Sequence, residues 1–518
     1  MGQGAPVRLS RRAWLASLAL AGCERPHELQ GGWVGTTPER GHRLRSGERP
    51  AATVQRRAEV VIVGAGIAGL AAARACLQQG ITDVHVLELE DQPGGNSRGH
   101  LLAGQPCPLG AHYLPVPAEP AHEVLAWLHE IGLLKTVHGR SVADERHLCH
   151  SPQERLFIDG AWADGLLPPG DGDTMAQYRR FAARVAEVQR LGFAIPSHRA
   201  RWTGEHAALD AVTFDAWLQR EGFADERLRW YLDYCCRDDY GAGTATVSAW
   251  AGLHYFASRH GFHAPGDASA EREPVFTWPE GNAWLVQRLA APLGERLHGA
   301  RTVLAVEEDR SGATVLAWDE AAQRAEAWQA RHVILALPLF VAARVFRDGP
   351  APLQAAARLP RAPWLVANLH LASPLADRPG APPSWDNVRY GAQGLGYVAA
   401  GHQRLDPTPG PVVLTAYHAL PVAERPALLA DDWRAWAARI VADLAPVHPD
   451  LAPLLRRAEL ARHGHAMVVP VPGVRSHPAL AALRAVRGRV RCAHADLAGV
   501  SVFEEAFTAG AEAASGLR

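Results

Sequence analysis

Three glycines, Gly64, Gly66 and Gly69, form the pattern in this chain that is most informative about chemistry. A β-branched run at 60–63 precedes them, and an alanine-rich stretch follows from Leu70. This order predicts a strand, a tight turn and a helix, the unit that binds the pyrophosphate of a dinucleotide. The helix N-terminus would supply N–H groups and a positive dipole. The predicted contacts in this turn are Gly64, Gly66, Ile67, Ala68 and Gly69.

An acid stands where a ribose-binding residue is expected. Glu88 ends a second apolar run at 84–87 and lies 24 positions after Gly64, close to the roughly 20 typical of such an acid. A carboxylate there accepts from ribose hydroxyls and repels a 2′-phosphate. The sequence therefore predicts an unphosphorylated adenosine.

The Gly94-Gly95 pair, followed by Asn96, Ser97 and Arg98, separates a flavin from a nicotinamide interpretation. With this pair the chain resembles the superfamily of flavin-containing amine oxidases and phytoene desaturases. Three further segments resemble that superfamily in the same order, and they are Leu109-Gly110-Ala111-His112-Tyr113-Leu114, the stretch 276–285 and the stretch 492–506.

The resemblance implies FAD as cofactor and an α/β fold. In that fold a Rossmann-like FAD-binding domain of the GR2 type is interleaved with an α+β substrate domain that contains an antiparallel sheet. It also implies further cofactor contacts at Gly94, Gly95, Asn96, Ser97, Gly110, Ala111, His112, Val303, Asp496, Ser501 and Val502.

Two departures from the amine oxidases bear on activity. The only lysine is Lys135, in the expected helical region, whereas most of these enzymes hold a lysine near flavin N5 from the first long strand of the substrate domain. Val502 stands where a cage aromatic is usual, so one wall of an amine slot is absent. Both departures count against monoamine or polyamine oxidation.

The candidate catalytic residues are His112, His465, Asp239 and Tyr240. Asp238 and Asp239 beside an apolar stretch could bind a cationic nitrogen, or could end a helix and pair with an arginine. His463 and His465 would share one face of a strand, but a metal would need further ligands, and no metal is predicted.

The N-terminus carries an export signal. Ser10-Arg11-Arg12-Ala13-Trp14-Leu15 is typical of twin-arginine signals, and Leu20-Ala21-Gly22-Cys23 resembles a bacterial lipobox. The apolar run between them is far shorter than the roughly 20 residues of a membrane span. We expect lipidation at Cys23 and a periplasmic body anchored to the inner or the outer membrane.

Composition describes an ordinary globular chain. It has 518 residues, 48% apolar, with a net charge of −1, which gives no basic excess for a nucleic acid partner. The predicted segments are a signal peptide (1–23), a flexible tether (24–55), FAD-binding parts (56–115, 261–345 and 479–518), a helical excursion of the substrate domain (116–260) and its sheet (346–478).

Together these patterns predict an exported FAD-dependent oxidoreductase that oxidises a C–N or C–C bond by hydride transfer to flavin, with oxygen or a quinone as acceptor. Two alternatives stay open: a desaturase or isomerase of a lipid or polyprenoid, and a flavin-binding envelope protein without catalysis. An acidic slot at the flavin would favour an amine substrate, and a long apolar tunnel would favour the desaturase.

Overall fold

The computed structural model of the chain describes residues 28–265, 274–404 and 410–517. The twin-arginine and lipobox motifs lie outside these residues. The strands of the described part are β1 (Gln30–Trp33), β2 (Val54–Val63), β3 (Val84–Leu87), β4 (Gly99–Leu102), β5 (Gln105–Pro108), β6 (Tyr113–Pro115), β7 (Leu134–Val137), β8 (Arg140–Ala143), β9 (Glu154–Ile158), β10 (Ala161–Asp164), β11 (Val275–Thr277), β12 (Leu297–His298), β13 (Arg301–Glu308), β14 (Ala313–Asp319), β15 (Arg324–Leu335), β16 (Arg361–Leu371), β17 (Asp386–Arg389), β18 (Tyr397–Ala399), β19 (Val412–Ala419), β20 (Leu455–Val468) and β21 (Val490–Cys492).

The α-helices of the same part are α1 (Pro38–His42), α2 (Ile67–Gln78), α3 (His122–Glu130), α4 (Gly172–Gln189), α5 (Gly204–Asp210), α6 (Phe214–Arg220), α7 (Glu226–Tyr240), α8 (Ala249–Ala257), α9 (Ala283–Ala290), α10 (Leu339–Val345), α11 (Ala351–Ala356), α12 (Arg425–Ala430), α13 (Trp433–Leu444), α14 (Leu451–Leu454), α15 (Pro478–Ala485) and α16 (Phe503–Ala514). None of these helices combines the length and the hydropathy that crossing a membrane requires.

A seven-stranded sheet forms the nucleotide-binding domain. Strands β12, β3, β2 and β15 run parallel, β14 and β13 continue antiparallel beyond β15, and β21 pairs with the C-terminal end of β15. Helices cover both faces of this sheet, as a Rossmann-like fold requires, because parallel strands are apolar on both sides. The sheet is assembled from three separated stretches of the chain, and the α/β fold class is confirmed.

Glycine sets the first turn of this domain. Gly64 has φ +100°, and a β-carbon there would lie 2.5 Å from the Ala336 carbonyl oxygen. A β-carbon on Gly69 would lie 1.9 Å from the Gly64 oxygen, so helix α2 can approach strand β2 only with glycine at that position. The third glycine of the pattern thus serves packing.

An eight-stranded sheet, in the order β1-β20-β16-β19-β18-β17-β9-β10, forms the floor of the substrate domain. The strands predicted near 364–371, 396–400 and 412–418 lie in it as β16, β18 and β19, antiparallel to one another where they pair. One face of this sheet packs on helices α12 and α13, and the other packs on the helical layer that contains α7 and α8. The second face is the one that borders the candidate site.

The stretch 116–260 is less uniformly helical than expected. It contains α3 to α8, but residues 134–164 form two hairpins, β7–β8 and β9–β10. Strand β9 pairs in parallel with β17, so this excursion also extends the substrate sheet. Two short strands joined by a turn carry too few residues to stand out from the helical pattern around them.

The described part of the expected tether, from residue 28 onward, is structured, which corrects that expectation. Residues of β1 pair in parallel with β20 from Arg457 to Leu460. Thr37 donates its N–H and its hydroxyl to the two carboxylate oxygens of Glu90, at 2.9 and 2.7 Å. Backbone pairing and polar contacts hold the segment, so apolar periodicity could not reveal it.

The conformation of Gly31 predicts a sharp difference between two neighbouring substitutions. Gly31 has φ +148°, and a β-carbon there would lie 1.7 Å from the Ala458 oxygen, whereas a β-carbon on Gly32 meets nothing within 4 Å. We expect Gly31→Ala to lower the free energy of unfolding by about 1–3 kcal/mol and Gly32→Ala to change it by less than about 0.5 kcal/mol. Denaturant unfolding measures both, and equal effects would contradict the pairing of β1.

Candidate active site

The dinucleotide turn and the predicted ribose acid meet in the structure. Glu88 is buried and accepts from the Ala65 N–H at 2.7 Å and from the Glu90 N–H at 3.0 Å. Burial raises the pKa of Glu88, and the two N–H groups partly offset this effect. The carboxylate therefore sits at the mouth of the glycine turn, where a ribose would lie in such a fold.

A cradle of backbone without side chains lies beside this acid. A β-carbon on Gly66 would find only the Gly95 Cα within 4 Å, at 3.9 Å, so packing within the protein does not demand glycine there. Gly94 N–H donates to the Ala65 oxygen at 2.8 Å, which joins the two glycine segments. Space that a β-carbon would fill, next to the N-terminus of α2, fits the pyrophosphate of FAD.

The second glycine segment continues into the turn around Gly110. A β-carbon on Gly110 would lie 2.1 Å from the Asn96 oxygen, and the same oxygen accepts from the Ala111 N–H at 2.8 Å. Ala111 is exposed although both neighbouring segments are packed, so its methyl faces open space. The residues expected to touch the flavin, including Asn96 and Ser97, are thus brought together with Gly94 and Gly95.

Four rings cluster next to this turn. His112 stacks on Tyr417 with centroids 4.4 Å apart, and it lies 5.0 Å from Tyr113 and 5.3 Å from Trp385. We call His112, Tyr113, Trp385 and Tyr417 the aromatic box. Burial lowers the pKa of His112 to about 3, so its imidazole is neutral at physiological pH.

Two carboxylates border the aromatic box. The Tyr113 hydroxyl donates to Asp238 at 3.4 Å, and Asp386, the residue after Trp385, lies close enough to interact electrostatically with Asp238 and Tyr417. Burial and the charge of Asp239 raise the pKa of Asp238 to about 7, and burial, Glu154 and Asp238 raise that of Asp386 well above its usual range. Within the described ranges neither acid forms an ion pair, while both keep accessible surface.

The paired acids of the sequence separate in the structure. Asp239 forms an ion pair with Arg259 at 3.3 Å, as the alternative interpretation held. Tyr240 is buried, and its hydroxyl donates to the Ala251 oxygen at 2.9 Å inside the helical layer. Neither residue borders the box. Asp238 does, because one residue along a helix turns the side chain by about 100°.

His465 and His463 also lie in different surroundings. His465 is exposed and lies against Phe340, with ring centroids 4.8 Å apart. The His463 Nε2 donates to the Leu109 oxygen at 2.9 Å, next to the Gly110 turn. No group of three His, Cys, Asp or Glu side chains suited to a metal occurs in the part of the chain that the structure describes.

The closing segment is held by a buried ion pair. Asp496 pairs with Arg361 at 2.5 Å and accepts from the Leu339 N–H at 2.9 Å. Although burial raises its pKa, His494 and Arg361 hold the pKa of Asp496 well below its usual range. Val502 is the N-cap of α16, and the buried Ser501 hydroxyl makes no hydrogen bond within the described residues. Val303 is buried in β13, in the core of the nucleotide domain.

Lys135 is not placed to act as the lysine that most amine oxidases hold near flavin N5. It stands on the β7–β8 hairpin with a side chain 61% exposed and pairs with Asp144 at 3.2 Å. The face of β16 that borders the box carries Trp364 and Val366. The site therefore contains no lysine.

Trp385 and Asp386 were missed by the sequence analysis. They lie in a short stretch with no motif, and only pairing of β17 with β9 and β18 brings them beside His112. Tyr417 could be recognised as a residue of a strand, but its contact with His112 depends on the register of β16 and β19.

A Rossmann-like sheet, a glycine cradle with a ribose acid and a large substrate sheet define a two-domain protein that binds a flavin dinucleotide. Residues 67–514 match the family described as flavin containing amine oxidoreductase, and the chain belongs to this family. Membership implies a flavin cofactor, and the cradle and Glu88 fit FAD.

One relative and two solved structures are similar to this chain. AofH of Mycobacterium tuberculosis, assigned as a flavin-containing monoamine oxidase, is 31% identical over 300 residues, which are 57% of this chain and 60% of that protein. A putrescine oxidase bound to putrescine has TM-score 0.68 at 19% identity, over 89% of this chain and 99% of that one. Cyclohexylamine oxidase from Brevibacterium oxydans has TM-score 0.65 at 19% identity, over 89% and 98%. At this identity the two structures show the fold alone.

The two glycines at the start of α2 predict separable effects. The Gly66→Ala methyl would enter the cradle, so we expect unchanged apo-protein stability and at least about tenfold weaker FAD binding. The Gly69→Ala methyl would collide with the Gly64 oxygen, so we expect unfolding to become easier by about 1–3 kcal/mol. Thermal unfolding of the apo-protein and a flavin fluorescence titration separate the two, and a Gly66→Ala apo-protein as unstable as Gly69→Ala would contradict the cradle.

Proposed function

We propose that this protein is an FAD-dependent amine oxidase, which breaks a C–H bond next to a substrate nitrogen and leaves an oxidised C–N bond. The observation that carries the proposal is the pair of acids, Asp238 and Asp386, beside the aromatic box. A buried carboxylate without a cation is costly, and a substrate ammonium would relieve that cost. The aromatic faces add cation–π attraction.

The chemistry divides between cofactor and protein. Bound flavin supplies the hydride acceptor. Asp238 and Asp386 attract and orient the cationic nitrogen, while Trp385 and Tyr417 exclude water from it. His112 is neutral, and a pKa of about 3 makes it too weak a base to take a proton from an ammonium, so it contributes an uncharged ring to the site.

The two other interpretations have less support. A hydrocarbon substrate beside Asp238 and Asp386 would leave the two acids without a cationic partner, which disfavours a desaturase or isomerase. A protein without catalysis would be expected to fill its flavin face with side chains, whereas Ala111 is exposed there and His112 keeps accessible surface.

Export and the electron acceptor extend the proposal. The twin-arginine motif at 10–15 and the lipobox that ends at Cys23 support a lipid-anchored protein in the bacterial periplasm. Such a setting offers both oxygen and membrane quinones as acceptors. Transport of the folded protein would let FAD bind before export.

Anaerobic titration of the FAD-loaded protein tests the activity. We expect primary amines and diamines to bleach the flavin absorption band and apolar alkenes of similar length to leave it unchanged, because only a cation satisfies the acids. Readmission of oxygen or addition of a quinone then identifies the acceptor. Bleaching by alkenes alone, or by no compound, would overturn the proposal.

The pKa of Asp238 predicts a pH dependence of amine binding. As the pH rises through about 7 the carboxyl ionises, so the KM for an amine that stays cationic should fall between pH 6 and pH 8. Groups that face Asp238 are Tyr113, Asp239, Arg237, Arg259 and Asp386.

Substitution assigns this pH step. Asp238→Asn should remove the step and raise the KM at pH 8 about tenfold, because a charged hydrogen bond is lost. Asp239→Asn is the comparison variant: it breaks the Arg259 ion pair and should lower stability, and it should keep the step but move it to lower pH, because the charge of Asp239 raises the pKa of Asp238. Steady-state kinetics from pH 6 to 8 measures the KM of both variants. A step that persists in Asp238→Asn would show that a group other than Asp238 causes it.

A further inference from the structure

The turn before His112 is held by side chains from the substrate sheet. Asn368 Nδ2 donates to the Pro108 oxygen at 2.9 Å, His463 Nε2 to the Leu109 oxygen at 2.9 Å and the Tyr417 hydroxyl to the Gly110 oxygen at 3.1 Å. Three consecutive carbonyls thus accept from three different strands, β16, β20 and β19. We call Asn368, Tyr417 and His463 the carbonyl clamp.

Strand register places the clamp on one face of the sheet. Tyr417 lies opposite Val366, and His463 lies opposite Trp364. Trp364, Val366 and Asn368 are every second residue along β16. Side chains two residues apart on a strand share a face. Thr415 donates to Asn368 Oδ1 at 2.7 Å, which leaves the amide nitrogen of Asn368 directed at Pro108. The donors are therefore fixed before any ligand binds.

The turn is also held on its far side. The Asn282 N–H donates to the Ala111 oxygen at 3.0 Å, Thr277 Oγ1 to the His112 oxygen at 2.9 Å and Asn282 Nδ2 to the Tyr113 oxygen at 2.9 Å. Every carbonyl from 108 to 113 accordingly has a donor. Such complete pairing defines the orientation of each peptide group.

One donor of the turn stays unused. No group in the described residues accepts from the Gly110 N–H. In a trans peptide the N–H points opposite to the carbonyl of the same peptide, so the Gly110 N–H points away from the sheet when His463 holds the Leu109 oxygen. The imidazole must carry its proton on Nε2, because a carbonyl only accepts.

We propose that Asn368, Tyr417 and His463 are positioning residues that hold the turn so that the Gly110 N–H faces the flavin as a hydrogen-bond donor. This inference rests on the proposed function, because it requires flavin at the Gly110 turn. Without the clamp, the flexible Leu109–Gly110 peptide can rotate and present a carbonyl in place of the N–H. A carbonyl there would disfavour the electron-rich reduced flavin.

Isosteric variants of two buried tyrosines test the clamp. Tyr417→Phe removes the hydroxyl but keeps the ring against His112. Tyr397→Phe is the matched control. Tyr397 lies on the neighbouring strand β18, and its hydroxyl contacts His448 at 2.9 Å, away from the turn. We expect Tyr417→Phe to weaken FAD binding about fivefold, to shift the flavin absorption band and to make its midpoint potential more negative. The control should leave all three unchanged.

His463 gives a second, independent variant. His463→Leu should reproduce the effects of Tyr417→Phe more strongly, with about tenfold weaker FAD binding, and His463→Gln should restore most of the loss because it keeps an N–H donor. Equal thermal destabilisation in His463→Leu and His463→Gln, with an unshifted flavin band in both, would show a structural role only and overturn the inference.

Amide hydrogen exchange on the apo-protein distinguishes failure of the clamp from failure of the proposed function. We expect the Ala111 amide, which donates to Asn96, to exchange at least about tenfold faster in Tyr417→Phe and His463→Leu than in the wild-type protein or Tyr397→Phe. Unchanged exchange would overturn the clamp whether or not flavin binds. A wild-type protein that binds flavin but oxidises no amine would overturn the proposed function and leave the clamp supported.

Discussion

A backbone that must come within hydrogen-bonding reach of a bound dinucleotide cannot carry side chains at the points of approach, and this constraint organises the molecule. Gly66 and Gly95 face each other across the cradle, and Gly110 lies against the Asn96 carbonyl. The three come from different turns, and hydrogen bonds from Gly94 N–H to the Ala65 oxygen and from Ala111 N–H to the Asn96 oxygen join those turns. Gly69 serves the same end indirectly, since it lets α2 bring its N-terminus to the cradle.

The buried charges follow a consistent division. Asp496 with Arg361, and Asp239 with Arg259, are acids whose cation is supplied by the chain. Each pair joins separate elements, and for Asp496 the pairing holds the pKa low despite burial. Asp238 and Asp386 have pKa values raised by burial and form no ion pair within the described residues. Paired acids therefore stabilise the fold, while the two acids at the aromatic box retain attraction for a ligand.

Local patterns in the sequence were enough to predict the strand, turn and helix at 60–78, the position of Glu88 at the end of the next strand and the α/β class, because each depends on residues close together in the chain. The β1 segment could not be predicted, since it is held by the backbone of β20 and by Glu90. Asp386 and Trp385 depend on which strands of the eight-stranded sheet are neighbours, and a single sequence does not contain that information. The sequence analysis drew attention to Asp238 and Asp239 together, but only the rotation of α7 separates their surroundings.

The site has no lysine, and its two acids, Asp238 and Asp386, form no ion pair within the described residues. These two features are related through the charge at the site. A lysine on the box-facing side of β16, next to Trp364 or Val366, would place a permanent positive charge near Asp238 and Asp386 and compete with a cationic substrate. In this chain that face is apolar, and the nearby polar groups of the sheet are the neutral donors Asn368, Tyr417 and His463. A cationic ligand would therefore be needed to neutralise the acids beside the aromatic box. The departure from the family pattern that first counted against amine oxidation is thus compatible with an amine substrate, because it adds no further cation to Arg237 and Arg259, which already lie near Asp238.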